Sequence, residues 1–202
     1  MNILNIDKDG EYAIKEDTII LSKAKVITTI LEENVKVILI TLNKDTTTKT
    51  ILKGNHSEQK TISLFKANNE DVNIYNISDH VGKNTFSLIE TKGVIQKSNT
   101  TTRGLVRINS DADDSEGYQK SDVLVLDDSK VTSVPDLEIN NHNVKCSHGA
   151  TISQIDKEKK FYLMSRGLNE EEAQETLITG FFEPIINELP EEVKETIRNE
   201  LK

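Results

Sequence analysis

The first three quarters of the chain consist of short runs in which apolar and polar residues alternate. Thr61–Phe65 and Val72–Ile77 show this period of two, which is typical of strands with one face in a core, and Val35–Leu42 has the pattern of a mostly buried strand. The series continues with Phe86–Glu90, Gly104–Ile108, Val123–Leu126 and Leu137–Ile139. The connectors are rich in Asn, Asp, Gly, Ser and Lys, and no helical pattern interrupts the strands. The sequence therefore predicts a mainly β structure for residues 1–152.

Two architectures fit such a series of strands. One is an antiparallel sandwich or barrel, and the other is a coil of short strands stacked as a β-solenoid. No strict repeat motif separates them. Only 4% of the residues are aromatic and there is no Trp, while Ile, Val and Thr are abundant. Because branched side chains stack well in layers, this composition favours the solenoid, with equivalent positions forming ladders.

The pattern becomes helical after Gln154. Asp156 is a suitable N-cap for a helix that runs to Ser165, and Gly167 is placed to end it. We therefore predict that the chain divides into a β-domain at residues 1–152 and a small helical domain at residues 153–202.

A second and a third helix follow. Asn169 with Glu172 three residues later forms a variant of the capping box. Pro184 lies inside the apolar pattern of the second helix, so we expect a kink or a restart there. Pro190 suits the first position of the third helix.

The second helix carries a wide apolar face with the spacing of three and four residues. Its members are Ala173, Leu177, Ile178, Phe181, Phe182, Ile185, Ile186 and Leu189. Two interpretations stay open: the face packs on the β-domain, or it is a docking surface for another protein.

Charge and hydropathy exclude some classes of protein. The formal net charge is −9, and there is no cluster of Lys and Arg with interleaved aromatic residues, so we expect no nucleic-acid partner. The apolar run Val35–Leu42 is interrupted by Lys36 and Thr41 and is too short for a membrane span. The first twelve residues lack the basic and apolar regions of a signal peptide. We expect a cytoplasmic protein without membrane attachment.

The densest set of reactive side chains surrounds the single cysteine, Cys146. His142 lies four residues before it and His148 two residues after it. On a strand, Cys146 and His148 would point to the same face. Thiolate and imidazole both bind iron, zinc and iron–sulfur clusters, but one thiol cannot hold a cluster, so such a site would need a second chain. A buried structural pair and a Cys/His nucleophile are the alternatives.

Two weaker motifs are rejected on spacing. Asp111–Gly117 has Glu116 where a calcium loop needs Gly, and Gly82–Thr85 lacks the first glycine of a P-loop, so we expect the chain itself to bind no ATP. His56 and His80 are interpreted as surface histidines.

The C-terminal half resembles the SufB/SufD core family. The resemblance rests on Pro135–Ile139, on Val144–Thr151 with its Cys-Ser-His-Gly-Ala-Thr block, and on Phe161–Gly167 with its Phe-Tyr-Leu-Met-Ser-Arg-Gly block. It covers roughly residues 103 to 190. It implies a right-handed parallel β-helix followed by a small helical domain, and a non-catalytic scaffold subunit in the SUF machinery that assembles iron–sulfur clusters.

The resemblance also implies partners and site residues. The β-helices would form a homo- or heterodimer with a second SufB/SufD-type subunit, and a transient iron–sulfur cluster would assemble at this interface beside His148 and Cys146, the two candidate metal ligands. The helical domain would dock onto a SufC-type ABC ATPase. The residues implied for this docking are Arg166, Ile178, Phe181 and Phe182.

Two departures from the family pattern leave alternatives open. SufB-type members carry a sulfur-accepting cysteine in a Gln-Cys-Asp context, where this chain has Gln119-Lys120-Ser121, so the chain resembles SufD. It is also short, without the N-terminal helical region and several β-helix turns of typical members. An ATPase-binding structural or regulatory paralogue without cluster assembly is therefore an alternative, and a β-helical enzyme acting on polysaccharide is a more remote one.

Overall fold

The chain folds into thirteen strands and three helices in the computed structural model, which describes residues 1–201. The strands are β1 (Asn2–Ile6), β2 (Gly10–Ile14), β3 (Thr18–Ser22), β4 (Val26–Leu31), β5 (Lys36–Thr41), β6 (Asp45–Leu52), β7 (Glu58–Asn68), β8 (Val72–His80), β9 (Phe86–Gln96), β10 (Asn99–Ile108), β11 (Glu116–Leu126), β12 (Lys130–Ile139) and β13 (Lys145–Gln154). The helices are α1 (Lys157–Ser165), α2 (Glu170–Asn187) and α3 (Glu191–Glu200).

The strands alternate between two parallel sheets. The odd-numbered strands form a seven-stranded sheet in the order β1-β3-β5-β7-β9-β11-β13, and the even-numbered strands form a six-stranded sheet from β2 to β12. Every strand pairs in parallel with the strand two places along the chain. This connectivity makes the chain a parallel β-helix, which confirms the solenoid and excludes the antiparallel sandwich. Its right-handed sense stays a prediction.

The solenoid widens along its axis. Asn2 pairs with Thr18, whereas Glu116 pairs with Lys145, so a coil takes about 16 residues at one end and nearly 30 at the other. The strands lengthen in step, from 5 residues in β1 to 11 in β11. This growth of the coil explains why the sequence shows no strict repeat.

The interior combines aliphatic side chains with a ladder of hydroxyl and amide groups. Thr41, Ser63, Thr91 and Ser121 occupy one column through successive coils. Asn76 accepts a hydrogen bond from the Thr48 hydroxyl at 2.7 Å, and its amide nitrogen lies 3.0 Å from the Ser63 hydroxyl. Because each buried polar group needs a partner, this network stabilises the polar side chains that it joins inside the solenoid.

The helices α2 and α3 cover the outer face of the seven-stranded sheet. Their buried apolar residues form one cluster with the outward side chains of that sheet: Ile19, Ile40, Ile62, Leu64, Val94, Leu124 and Leu126 from the strands, and Ile178, Phe182, Ile185, Ile186, Leu189, Val193, Ile197 and Leu201 from the C-terminal segment. Ion pairs at the border join Lys60 to Glu188 at 2.8 Å and Lys66 to Glu175 at 2.9 Å. The helical segment therefore shares a core with the β-helix.

The helix boundaries follow the capping residues. Asp156 caps α1 by accepting from the backbone N–H groups of Glu158 and Lys159, and Asn169 with Glu172 forms the full capping box of α2. Helix α2 continues through Pro184 without a restart. The prediction for Pro190 was wrong by one position, because it is the residue before α3 and the helix begins at Glu191.

No helix among residues 1–201 is both long and apolar enough to cross a membrane. The division predicted after residue 152 falls within β13, which continues to Gln154. Whether the β-helix and the helical segment fold independently stays a prediction.

Candidate functional site

The last coil of the solenoid leaves one end of the β-helix open. Strand β13 ends the seven-stranded sheet and β12 ends the six-stranded sheet, and no further strand of the described chain pairs with either. Most side chains of β13 are exposed, and Ile152 keeps 53% of its surface in contact with solvent. A free strand edge of this length offers unpaired backbone groups to another chain.

Cys146 and His148 both lie on β13, and both point towards the interior side. The register places Cys146 beside Gly117 and His148 beside Gln119 of β11. Gln119 is buried at 6% exposure, which fixes the direction of this column. The structure thus brings Cys146 and His148 together on one face at the open end. His142 lies outside the strand, in the connector that precedes it.

The Cys146 thiol is half-buried against a small apolar cluster that contains Ile89, Val106 and Ile108. Burial raises the pKa of the Cys146 thiol above its usual value. The thiol is therefore protonated at neutral pH and becomes a thiolate ligand only when a metal displaces its proton.

The imidazole of His148 makes one hydrogen bond to the backbone. Its Nδ1 lies 2.9 Å from the carbonyl oxygen of Pro135 on β12. A carbonyl oxygen only accepts, so Nδ1 carries the hydrogen and donates it. In the neutral ring Nε2 then holds the lone pair, on an exposed residue. This is the arrangement in which histidines bind metals, with the second nitrogen held by a backbone carbonyl.

These two ligands fit iron or an iron–sulfur cluster in chemistry but do not complete a site. Thiolate and imidazole are both ligands of such centres. Within residues 1–201 no group of three or more His, Cys, Asp or Glu residues is placed to hold a metal ion. The remaining ligands would have to come from another chain or from the cargo itself.

Lys120 points away from this pair. It follows Gln119 on β11 and is therefore on the outer face of the sheet, where its ammonium group lies 3.0 Å from Asp122. This ion pair raises the pKa of Lys120. Lys120 stands where the resemblance implies a cysteine in SufB-type members. It is thus on the opposite face of the sheet from Cys146 and His148.

The four residues predicted to bind a partner have different environments. Ile178 and Phe182 are buried, at 3% and 2% exposure, against the seven-stranded sheet. Phe181 is half-buried and lies under the ammonium group of Lys92, 4.5 Å from its ring centroid. Arg166 is exposed. In this conformation Ile178 and Phe182 pack on the β-domain, which was the first of the two interpretations of the apolar face. Their side chains are therefore not accessible to a partner.

Helix α1 carries an exposed apolar patch within the Phe161–Gly167 block, of which only Arg166 was predicted to bind a partner. Phe161 is 73% exposed, Tyr162 56% and Met164 41%, and α1 contains no buried residue. The guanidinium group of Arg166 lies 5.2 Å from the ring centroid of Tyr162. We call Phe161, Tyr162, Met164 and Arg166 the α1 patch. The signal for this patch in the sequence is the apolar run at residues 161–164. The first turn of α1, at residues 157–160, is entirely charged, so the helix has no continuous apolar face.

The interpretation of His80 as a surface histidine was wrong. Its side chain is completely buried, with Nδ1 2.7 Å from the Thr85 hydroxyl and Nε2 2.7 Å from the Ser87 hydroxyl. The polar residues around it in sequence turn inwards to bind it, which the local pattern alone could not indicate. Burial lowers the pKa of His80 to about 4.

The fold and the site together define a parallel β-helical protein with a Cys/His pair at its open end and helices packed on one sheet. The chain belongs to the SufB/SufD family: the model described as "SUF system FeS cluster assembly, SufBD core domain" matches residues 15–181. The match extends the resemblance, which the sequence motifs had placed at residues 103–190, through most of the β-helix.

Curated relatives agree with the family. The chain is 35% identical over 147 residues to the iron-sulfur cluster assembly protein SufB of Bacillus subtilis, which is 70% of this chain and 31% of that protein. It is 34% identical over 145 residues to a SufBD family protein of Porphyra purpurea, or 70% of this chain and 30% of that one. A SufBD family protein of Mycobacterium tuberculosis is 41% identical over 115 residues, or 56% of this chain and 14% of that protein. The chain thus matches less than a third of each of these relatives, and its closer likeness to SufD than to SufB stays a prediction.

Proposed function

We propose that the chain is a non-catalytic scaffold subunit of a SUF-type iron–sulfur cluster assembly complex, which works in the cytoplasm with a SufC-type ABC ATPase. One observation carries this proposal: Cys146 and His148 share a face on β13, at the open end of the solenoid. A cluster held there would have access to ligands from a second subunit. The family membership supports the role in cluster assembly.

A second SufB/SufD-type subunit would bind at this open end. Two ends of a solenoid are available, but β1 has 5 residues while β13 has 10, so head-to-tail stacking would leave half of the longer edge unpaired. Contact between two like ends matches the strand lengths and is the self-complementary geometry of a two-fold dimer. It also brings the Cys146 and His148 positions of two subunits to one interface, whether the partner is identical or a paralogue.

The SufC-type ATPase would dock on the α1 patch. Of the residues implied by the resemblance, Arg166 belongs to this patch, and Phe181 is the one of the three apolar residues that stays partly accessible. Ile178 and Phe182 would act indirectly, by fixing α2 on the sheet. Aromatic residues and Arg are the residue types that dominate protein interfaces, which supports Phe161, Tyr162 and Arg166 as the central contacts.

Lys120 favours a second candidate, a structural or regulatory paralogue that binds the ATPase without assembling a cluster. A lysine paired with Asp122 cannot accept sulfur as a thiol would. In this alternative no cluster would assemble at the face that carries Cys146 and His148, with or without a second subunit.

Anaerobic co-expression with the SufC-type ATPase of the same organism, followed by size-exclusion chromatography with mass determination, tests the partnership. We expect a complex of two ATPase chains and two β-helical chains. A Phe161→Ala/Tyr162→Ala variant should lose the ATPase, whereas Val26→Ala, at a position on the six-stranded sheet that is 50% exposed, should keep it. Elution of the chain alone would refute the partnership.

Reconstitution of the complex with iron and sulfide separates the two candidates. In the scaffold function, His148→Ala should lose most of the bound cluster, measured by absorption and iron content, while the exposed His142→Ala should not. A complex that forms normally but binds no cluster even with the unaltered chain would favour the regulatory paralogue, and a cluster that survives in His148→Ala would refute the site at His148.

A further inference from the structure

The ring of His148 is held by an edge strand of the six-stranded sheet. The acceptor of its Nδ1 hydrogen is the Pro135 carbonyl on β12, and β12 pairs with only one neighbour, β10. An edge strand moves more easily than a central one because half of its backbone groups have no partner in the sheet. The direction of the Pro135 carbonyl therefore depends on side-chain contacts to β12 as well as on the pairing of β12 with β10.

Gln119 supplies such a contact from the interior of the solenoid. Its amide Nε2 donates to the carbonyl oxygen of Asp136, the residue after Pro135, at 2.7 Å. Gln119 is buried, and on β11 it is the register partner of His148. One side chain thus lies beside the imidazole and also binds the strand that orients it.

The glycine on β10 at this level leaves room for the carboxamide. Gly104 is the register partner of Pro135, and a Cβ atom on Gly104 would stand 1.9 Å from Oε1 of Gln119. Any side chain at position 104 would displace the carboxamide from this place.

We propose that Gln119 is a positioning residue for His148. By holding β12 through the Asp136 carbonyl it fixes the Pro135 carbonyl, which keeps the hydrogen on Nδ1 and leaves the lone pair on Nε2. The ligand role of Nε2 rests on the proposed function, but the tautomer does not, because it is a property of this chain alone.

Nitrogen-15 NMR of the neutral histidines, with multiple-bond correlations that separate the two tautomers, tests this inference. The His148 signal is assigned by its loss in His148→Gln. In the unaltered protein we expect His148 mainly with hydrogen on Nδ1. Gln119→Met keeps the length of the side chain and removes the amide donor, and it should reduce this population at least twofold. Gly104→Ala should act in the same direction and serves as the second variant if Gln119→Met folds poorly.

The matched control is Gln59→Met. Gln59 is also a buried glutamine inside the solenoid, where its carbonyl oxygen accepts from the Ser78 hydroxyl at 2.6 Å, but it is on β7, far from β12. This variant should leave the His148 tautomer unchanged. The inference is overturned if His148 carries its hydrogen on Nε2 in the unaltered protein, if Gln119→Met and Gly104→Ala leave the tautomer unchanged, or if Gln59→Met changes it equally. A failed cluster reconstitution with an intact Nδ1–H tautomer would refute only the proposed function.

Discussion

The ring of Phe65 lies against the backbone of Gly93 inside the solenoid. The two are register partners on β7 and β9, and a Cβ atom on Gly93 would stand 2.1 Å from Cζ of the ring. Phe65 is 1% exposed and packs with Ile74, Ile95 and Val123, so the ring has no free space to enter. A large residue in one coil is thus accommodated by the absence of a side chain in the next.

Gly93→Ala should therefore destabilise the protein by about 1–3 kcal/mol or more, because it overpacks the core. Urea unfolding measures the change. Gly180→Ala is the control: a methyl group there meets open space, and alanine favours helix α2, so its stability should be unchanged or higher by up to about 1 kcal/mol. Phe65→Leu should relieve part of the effect in the double variant, and strictly additive losses would contradict the steric explanation.

Phe182→Ala should lower the free energy of unfolding by about 3–5 kcal/mol, because the ring is buried between α2 and the seven-stranded sheet. Phe161→Ala, at 73% exposure, should cost less than about 0.5 kcal/mol. The effects on ATPase binding should be the reverse. At a temperature at which both variants are folded, Phe161→Ala should weaken binding of the ATPase and Phe182→Ala should not. Unchanged stability in Phe182→Ala would mean that the ring is free in the isolated chain.

Acidification should weaken the fold through His80. Its pKa in the folded protein is about 4, below the value of 6.5 expected for the unfolded chain, so between these pH values the unfolded state binds more protons. The stability due to neutral His80 is complete above pH 6.5 and falls by about 3 kcal/mol as the pH approaches 4.

A His80→Gln variant isolates this contribution. Acid also removes the stability contributed by carboxylates, in the variant as well as in the unaltered protein. The pKa of Asp113 is lowered by hydrogen bonds from Asn141 and Lys83, and that of Glu183 by a hydrogen bond from Arg198. The difference between the two unfolding profiles should therefore shrink by a few kcal/mol from pH 7 to pH 4. A difference that is independent of pH would show that His80 is not the responsible group. The exposed His56, replaced by Asn, should leave the profile unchanged.

Removal of residues 153–202 should destabilise the β-helix that remains. The sequence predicts a separate domain for this segment, but its removal would expose the outward side chains of Ile40, Ile62, Leu64 and Leu124. We expect a lower unfolding midpoint and binding of a hydrophobic dye, measured on the truncated chain. Cooperative unfolding at an unchanged midpoint would establish that the β-helix is an independent domain.

The alternation of Thr61–Phe65 and Val72–Ile77 predicted strands, and the capping residues Asp156 and Asn169 predicted helix starts, because these signals act over a few residues. The shorter strands before Val35 gave weaker signals, since runs of five residues contain little periodicity. The turns between the strands also carry a local signal in the sequence. Asn34, His56, Asn84 and Asp114 occur at successive turns with positive φ angles, a conformation in which Asn, Asp and His are enriched.

For the candidate site, the sequence by itself determined that Cys146 and His148 share a face, because side chains alternate along any strand. Only the tertiary structure decided that this face is at the open end of the solenoid, that Lys120 is on the opposite face, and that the Pro135 carbonyl orients the imidazole. It also decided that Phe182 and His80 are buried. These properties depend on how the coils and helices pack against one another, and such contacts leave no pattern in the local sequence.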